Sequence, residues 1–133
     1  MLSAEKNDYL TRIGPGTPMG RLLRCYWIPL LHARELDERG GGPMRIRLLG
    51  ESLIAFRDGS GRVGLLDHHC PHRQASLFYG RNEPGGLRCL YHGWLYDVEG
   101  RCIDIPNEPG DCPLIGKVRA RAYPCREANG VVW

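Results

Sequence analysis

A chain of 133 residues, 42% apolar and 25% charged, has the size and balance of one domain built around one core. Its formal charge of +3 comes without a basic block, so composition gives no case for nucleic-acid binding and leaves only a weakly positive surface. No apolar run approaches the ~20 residues of a membrane span, and Met1 to Leu10 lacks a signal-peptide core; the expected location is the cytoplasm, off the membrane.

Eighteen glycines and ten prolines are too many for a helical bundle and predict short strands joined by turns. The first part reads as helical. Ser3 is placed to cap a short helix running to about Arg12, and Gly14-Pro15-Gly16 breaks it. Thr17-Pro18 restarts a helix, with Thr as cap and Pro at the first helical position. Leu22, Leu23, Tyr26 and Trp27 are its expected buried side, with Pro29 near its end. The stretch Arg39-Gly40-Gly41-Gly42-Pro43 reads as a linker, so residues 1–38 form a helical segment expected to pack on a body spanning 43–133.

Beyond the linker the period changes to two. Met44 to Leu49 and Ser52 to Arg57 read as strands around a turn at Gly50-Glu51, and Asp58-Gly59-Ser60-Gly61 as a hairpin turn before Val63 to Leu66. Leu87 to Leu90, Trp94 to Val98 and Cys102 to Ile105 are further short strands, with a turn at Glu99-Gly100. Lys117 to Tyr123 alternates charged and apolar residues, as a half-solvated strand does. No internal repeat is evident. The sequence closes on the apolar Val131-Val132-Trp133, which suits either an edge strand or the front piece of a longer protein.

Of the six cysteines, Cys25, Cys102, Cys112 and Cys125 lack ligand spacing and read as reduced, mostly structural thiols. Cys70 and Cys89 differ, because each has a histidine close behind it. Cys70-Pro71-His72 is followed by sixteen residues and then Cys89-Leu90-Tyr91-His92. Each box offers one thiolate and one imidazole on a loop between short strands, over about residues 67–94. Two such loops meeting tip to tip suit a binuclear iron–sulfur cluster, with thiolates on one iron and imidazoles on the other. Tetrahedral zinc also accepts two Cys and two His, but zinc boxes usually pair like with like. Mixed boxes sort ligands between two irons.

Charge counting sets the chemistry of that ligand set. Two ferric ions, two sulfides and two thiolates sum to zero with neutral histidines, whereas four thiolates would leave a doubly negative centre. An electron enters the neutral centre more easily, so its potential is expected within roughly −150 to +300 mV, against about −400 mV for all-cysteine plant-type clusters. Such a centre accepts single electrons from a flavin or ferredoxin-like donor.

The pattern C-x-H-x16-C-x2-H, with Arg73 after the first box and Gly93-Trp94 after the second, resembles the Rieske [2Fe–2S] domain of ring-hydroxylating oxygenases. Gly14 to Gly20, Gly80-Arg81-Asn82-Glu83 and Ala122 to Glu127 are similar to the phthalate 4,5-dioxygenase type of oxygenase component. The resemblance covers nearly the whole chain. It implies a mainly β fold, an antiparallel β-sandwich with a small cluster-binding subdomain. It implies a Rieske-type cluster on Cys70, His72, Cys89 and His92, a flavin or ferredoxin-type reductase as electron donor, and a mononuclear iron in a catalytic domain or subunit as acceptor. Respiratory Rieske proteins carry an extra cysteine in each box; Ala75 and Tyr91 hold those places here, and Gly93-Trp94 lacks their hydrogen-bonding serine. Fewer bonds to sulfur place the expected potential at the low, oxygenase or ferredoxin end.

A mononuclear iron needs two histidines and a carboxylate with open positions. Of five histidines, two belong to the boxes; His32 is remote, and His68 and His69 abut the first box, so no carboxylate-x2-His-x4-His set remains. This polypeptide alone is not expected to hydroxylate a substrate. It is expected to be the Rieske part of an aromatic ring-hydroxylating oxygenase, with a free-standing Rieske ferredoxin as the alternative. Cys70 and Cys89 are assigned to a buried iron, His72 and His92 to an outer one. Trp94 and Tyr91 are expected to cover the cluster, and Arg73 either to tie the first loop or to stand in solvent.

Overall fold

The computed structural model describes residues 1–37, 41–108, 110 and 112–133. Helix α1 (Ala4–Thr11) starts where Ser3 predicts, with the Ser3 hydroxyl accepting from the Lys6 N–H at 3.3 Å. Helix α2 (Pro18–Leu23) is capped by Thr17, which accepts from the Gly20 N–H at 3.1 Å. The expected buried side of α2 does not form: Leu22, Tyr26 and Trp27 are all at least half exposed. Of the four, Leu23 alone is half-buried, and the residue of the helix that packs inward is Gly20. It faces the carbonyls of Ile13 and Gly14 so closely that a Cβ would lie 2.5 and 2.3 Å from them. The segment is held by backbone approach and by Arg24, whose guanidinium donates to the carbonyls of Ile13, Gly20 and Leu49 and to Glu51. No residue of α1 is buried.

Strand β1 (Leu31–His32) and helix α3 (Arg34–Asp37) follow. Of the expected linker, Arg39 and Gly40 lie outside the described residues. Three antiparallel strands come next, β2 (Met44–Leu48), β3 (Glu51–Arg57) and β4 (Val63–Asp67). The turn between β2 and β3 falls on Leu49-Gly50, one residue earlier than expected. Both have positive φ, 46° and 79°, as a two-residue hairpin of matching twist requires. Asp58 organises the next turn: its Oδ1 accepts from the N–H groups of Ser60 and Arg62, both at 2.9 Å.

A 3-10 turn (Leu77–Tyr79) leads to β5 (Arg81–Glu83), β6 (Gly86–Arg88), β7 (Leu95–Tyr96) and β8 (Cys102–Asp104), a second antiparallel sheet in that order. These strands are shorter than the apolar runs suggested, because the Cys89 N–H turns to the Trp94 carbonyl and closes a loop. Strand β9 (Ala122–Tyr123) joins the first sheet beside β4. The strand expected over Lys117 to Tyr123 is mostly absent, although its alternation of exposure holds. The segment crosses between sheets, with Val118 and Ala120 bonded to Cys102 and Gly100 on one side and Arg121 to Asp67 on the other. Strands β10 (Glu127–Ala128) and β11 (Val131–Val132) complete a third sheet, ordered β1-β11-β10, so the last apolar pair lies in its middle.

Alternation along β3 divides the interior in two. Ile54 and Phe56 enter a core shared with Leu66, Leu77, Leu87, Trp94 and Tyr96, the core that also holds Cys70 and Cys89. Leu53 and Ala55 enter the other, with Leu65, Leu36 and Val132. Among the described residues no helix is long and apolar enough to cross a membrane.

Glu51 is the charged group on which the second face turns. It is 7% exposed and takes hydrogen bonds from Arg24 at 2.6 Å and from the Tyr123 hydroxyl at 2.7–2.8 Å, with Arg121 at 3.0 Å. Burial pushes its carboxyl up, but the bonds from Arg24 and Tyr123 and the charge of Arg121 outweigh it and hold the pKa below the usual carboxylate range. A carboxylate lowered by folding stabilises the fold above its unfolded pKa, and that stability is lost as pH falls through the folded value. Glu51→Gln is therefore expected to cost about 1–3 kcal/mol at pH 7. Its urea midpoint should also fall less than that of the parent between pH 7 and pH 3. Parallel curves for the two proteins would remove Glu51 from this role.

Candidate metal centre

Both cysteine–histidine boxes lie on loops that leave short strands, the first after β4 and the second between β6 and β7. The two loops share one backbone frame. In the first, the Cys70 N–H donates to Ala75 O at 2.8 Å and the Cys70 carbonyl accepts from Gln74 N at 2.9 Å. In the second, the Cys89 N–H donates to Trp94 O at 2.9 Å and the Cys89 carbonyl accepts from Gly93 N at 3.0 Å. The fourth residue after each cysteine takes the left-handed conformation, Gln74 with φ 57° and Gly93 with φ 72°. Each frame also turns two N–H groups onto its own sulfur, from His72 and Arg73 in the first loop and from Tyr91 and His92 in the second.

The four predicted side chains come together around a single narrow pocket, lined also by Arg73, Ala75, Tyr91 and Trp94. The sulfurs are inside, with Cys70 and Cys89 at 2% and 3% exposed, and the half-buried imidazoles lie toward the surface. The rings of His72 and His92 are 4.8 Å apart. Trp94 stacks on His72 at 4.2 Å with the planes 10° apart, whereas the exposed Tyr91 tilts over His92 at 3.8 Å. Trp94 therefore backs one imidazole from within and Tyr91 covers the other from outside. Among the described residues, no three or more His, Cys, Asp or Glu side chains converge to hold one metal ion.

The two buried thiols sit close enough that each shifts the ionisation of the other. The bond from Cys89 lowers the Cys70 pKa against the opposing effect of burial, helped by Tyr96 and the loop N–H groups. Cys89 moves up, through its bond to Cys70 and through burial. One negative charge is thus easy to hold at the pair and a second is resisted.

Tyr96, fully buried, is a site residue that sequence reasoning missed. Its hydroxyl lies 3.3 Å from the Cys70 sulfur, and burial followed by Cys70 pushes its own pKa up, so it stays a protonated donor. The arginine that ties a loop is Arg88, which donates to Gly93 O; Arg73 is exposed. His68 bonds Ser76 Oγ through Nε2 at 2.9 Å, and burial lowers its pKa; His32 and His69 are exposed. Burial raises the Cys102 and Cys125 thiols to about 11, which leaves them protonated.

Residues 26–124 match the family model described as the Rieske [2Fe–2S] domain. Over all 133 residues the chain is 53% identical to the 3-chlorobenzoate-3,4-dioxygenase oxygenase subunit of Comamonas testosteroni and covers 31% of that protein. It is 48% identical to the phthalate 4,5-dioxygenase oxygenase subunit of Pseudomonas putida, again over its whole length and 30% of the relative. The chain thus spans about a third of the length of these curated relatives. Among solved structures, caffeine-bound NdmA of Pseudomonas putida CBB5 superposes with a TM-score of 0.74 at 32% identity, over 85% of this chain and 33% of that one. The reduced oxygenase–ferredoxin complex of carbazole 1,9a-dioxygenase gives a TM-score of 0.64 at 33% identity, over 80% and 27%. With antiparallel sheets, two loops of one frame and a family match over most of its length, this chain belongs to the Rieske [2Fe–2S] family.

Proposed function

We propose that Cys70, His72, Cys89 and His92 hold the Rieske-type cluster, the thiolates on an inner iron and the imidazoles on an outer one. On this reading the chain moves single electrons as the Rieske part of an aromatic ring-hydroxylating oxygenase in the cytoplasm. A flavin or ferredoxin-type reductase supplies the electron, and a mononuclear iron in a catalytic domain or subunit outside these 133 residues receives it. The observation that carries the reading is the cavity itself, with two sulfurs inside and two imidazoles outside, brought together by two loops of identical frame.

The residues present fit such a group. Two buried sulfurs beside two half-buried imidazoles 4.8 Å apart are a donor set suited to a cationic binuclear centre, which would stabilise both thiolates. When bound, the cluster supplies one-electron chemistry; the polypeptide supplies its surroundings. Backbone N–H groups of both loops and the Tyr96 hydroxyl offset negative charge on sulfur, Trp94 holds the His72 ring, and the packed core keeps water from the thiolates. The imidazole side faces outward, which makes it the shorter route to a partner. The carbazole 1,9a-dioxygenase oxygenase, a structural neighbour, is described in complex with ferredoxin, which supports a protein donor here.

Electron paramagnetic resonance of the anaerobically purified, dithionite-reduced chain tests the reading, alongside iron and sulfide analysis. A rhombic signal of mixed Cys/His ligation with about two irons per chain is expected. A silent protein containing zinc would replace the redox reading with a structural zinc module. His92→Cys should keep a two-iron centre and lower its potential, because a thiolate adds negative charge; an unchanged potential would remove His92 from the ligand set. Tyr96→Phe deletes one donor to sulfur and should lower the midpoint potential by roughly 20–60 mV, the one-electron equivalent of a neutral hydrogen bond. Equal potentials in parent and variant would mean that Tyr96 only fills space.

A further inference from the structure

The two loops have the same frame but different ties. The first is tied through its flanks, by the Leu77 N–H to the His68 carbonyl at 2.9 Å and by Ser76 Oγ to His68 Nε2 at 2.9 Å. The second loop is clasped. Arg88, on β6 immediately before Cys89, donates through Nη1 to the carbonyl of Gly93, the residue after His92. The same nitrogen donates to Asp104 Oδ2 of β8 at 2.7 Å, and Nε donates to Glu83 Oε2 of β5 at 2.7 Å. Glu83 also bonds Arg81. Arg88 and Glu83 side chains are about one-fifth exposed, so the central pair is shielded, while Asp104 is more open at 43%. From the other side Pro106 closes on Gly93, leaving no room for a Cβ: the distance would be 2.7 Å, at a φ where side chains are already disfavoured.

We infer that Arg88 is a positioning residue for the cluster: held by Glu83 and Asp104, its guanidinium fixes the Gly93 carbonyl and with it the direction of the His92 imidazole. The inference rests on His92 being a ligand. It also gives a purpose to the Gly80-Arg81-Asn82-Glu83 stretch, which no ligand role absorbs, since Glu83 is what holds Arg88 in place. A planar fork with several donors can bridge two carboxylates and a carbonyl at once; a lysine ammonium keeps the charge but not this geometry. Groups behind metal ligands act in this way, by setting ligand orientation and so affinity and electronic properties.

The test compares the intact chain with Arg88→Lys, Arg88→Gln and Asp104→Asn, each loaded with iron and sulfide and checked for folding by circular dichroism. Arg88→Gln and Arg88→Lys should both shift or broaden the paramagnetic resonance lines of the reduced centre. Both should also lose iron to a chelator about 10- to 100-fold faster than the parent. Failure of the lysine variant to restore the parent spectrum separates the clasp from a simple field effect. Recovery of the parent spectrum and iron-release rate by Arg88→Lys would overturn the inference, as would unchanged spectra and rates in both variants. If the Arg88 variants do not fold, Asp104→Asn decides: removal of one anchor should speed iron loss in the same direction, and parent-like loss would overturn the inference. A parent chain that lacks a mixed Cys/His signal would instead defeat the ligand reading itself.

Discussion

Two cysteine sulfurs share one buried site, and most of the surrounding structure follows from the cost of charging them. At 2% and 3% exposure neither thiolate is solvated by bulk water, and once Cys70 carries a charge it opposes ionisation of Cys89. The fold offsets this with fixed dipoles. Four loop N–H groups and one buried phenol surround the pair, while the positive charges of the surface arginines stay outside the core. Such donors cost nothing to reorganise when charge arrives, because strand ends and a packed ring already fix them. On the proposed ligand reading, both thiols would be deprotonated when the site holds iron, which would couple loading to proton release and favour it at higher pH.

The duplicated loop frame is an economical way to aim those donors. A cysteine whose N–H reaches five residues forward and whose carbonyl is met four residues on must place its fourth follower in the left-handed region. Gly93 does so freely; Gln74 pays roughly 1–2 kcal/mol for the same turn. The spacing of histidine within the frame differs, two residues after Cys70 and three after Cys89. Equal backbones with unequal spacing direct the imidazoles differently, and their rings meet at 4.8 Å tilted by 57° instead of overlapping.

The boxes themselves were legible in the sequence, since Cys, His and their spacing are the chemistry. So were the caps at Ser3 and Thr17 and the alternation that builds β2 to β4, because each depends on residues within a few positions. Contacts between distant segments were not. Tyr96 reads as an ordinary core aromatic until the fold sets its hydroxyl beside Cys70, 26 residues earlier. Arg88 reads as a surface charge until β5 and β8 flank it. Leu22, Tyr26 and Trp27 read as a buried face because they are apolar, whereas Gly20 is the residue that packs against the preceding turn. A repeat also went unnoticed. Asp58-Gly59-Ser60-Gly61-Arg62 and Asp97-Val98-Glu99-Gly100-Arg101 share only Asp, Gly and Arg, yet form the same turn. Each buried Asp accepts from the N–H groups two and four residues on and from the guanidinium of that arginine.

Those turns connect the strands to the site. The first cluster loop begins three residues beyond β4, so the direction of Cys70 is set by the register of β4 against β3. Side chains alternate strictly along a strand, and a slip of one residue would exchange Ile54 and Phe56 with Leu53 and Ala55 across the sheet. The same slip would turn the Cys70 loop away from Cys89. Asp58 prevents it by closing the β3–β4 hairpin at one length, and Asp97 does so for the β7–β8 pair that carries Tyr96. The direction of Cys70 and the place of the phenol beside it therefore depend on two aspartate-held turns remote from the pocket. Chemistry concentrated in two short loops depends on carboxylates that never touch it.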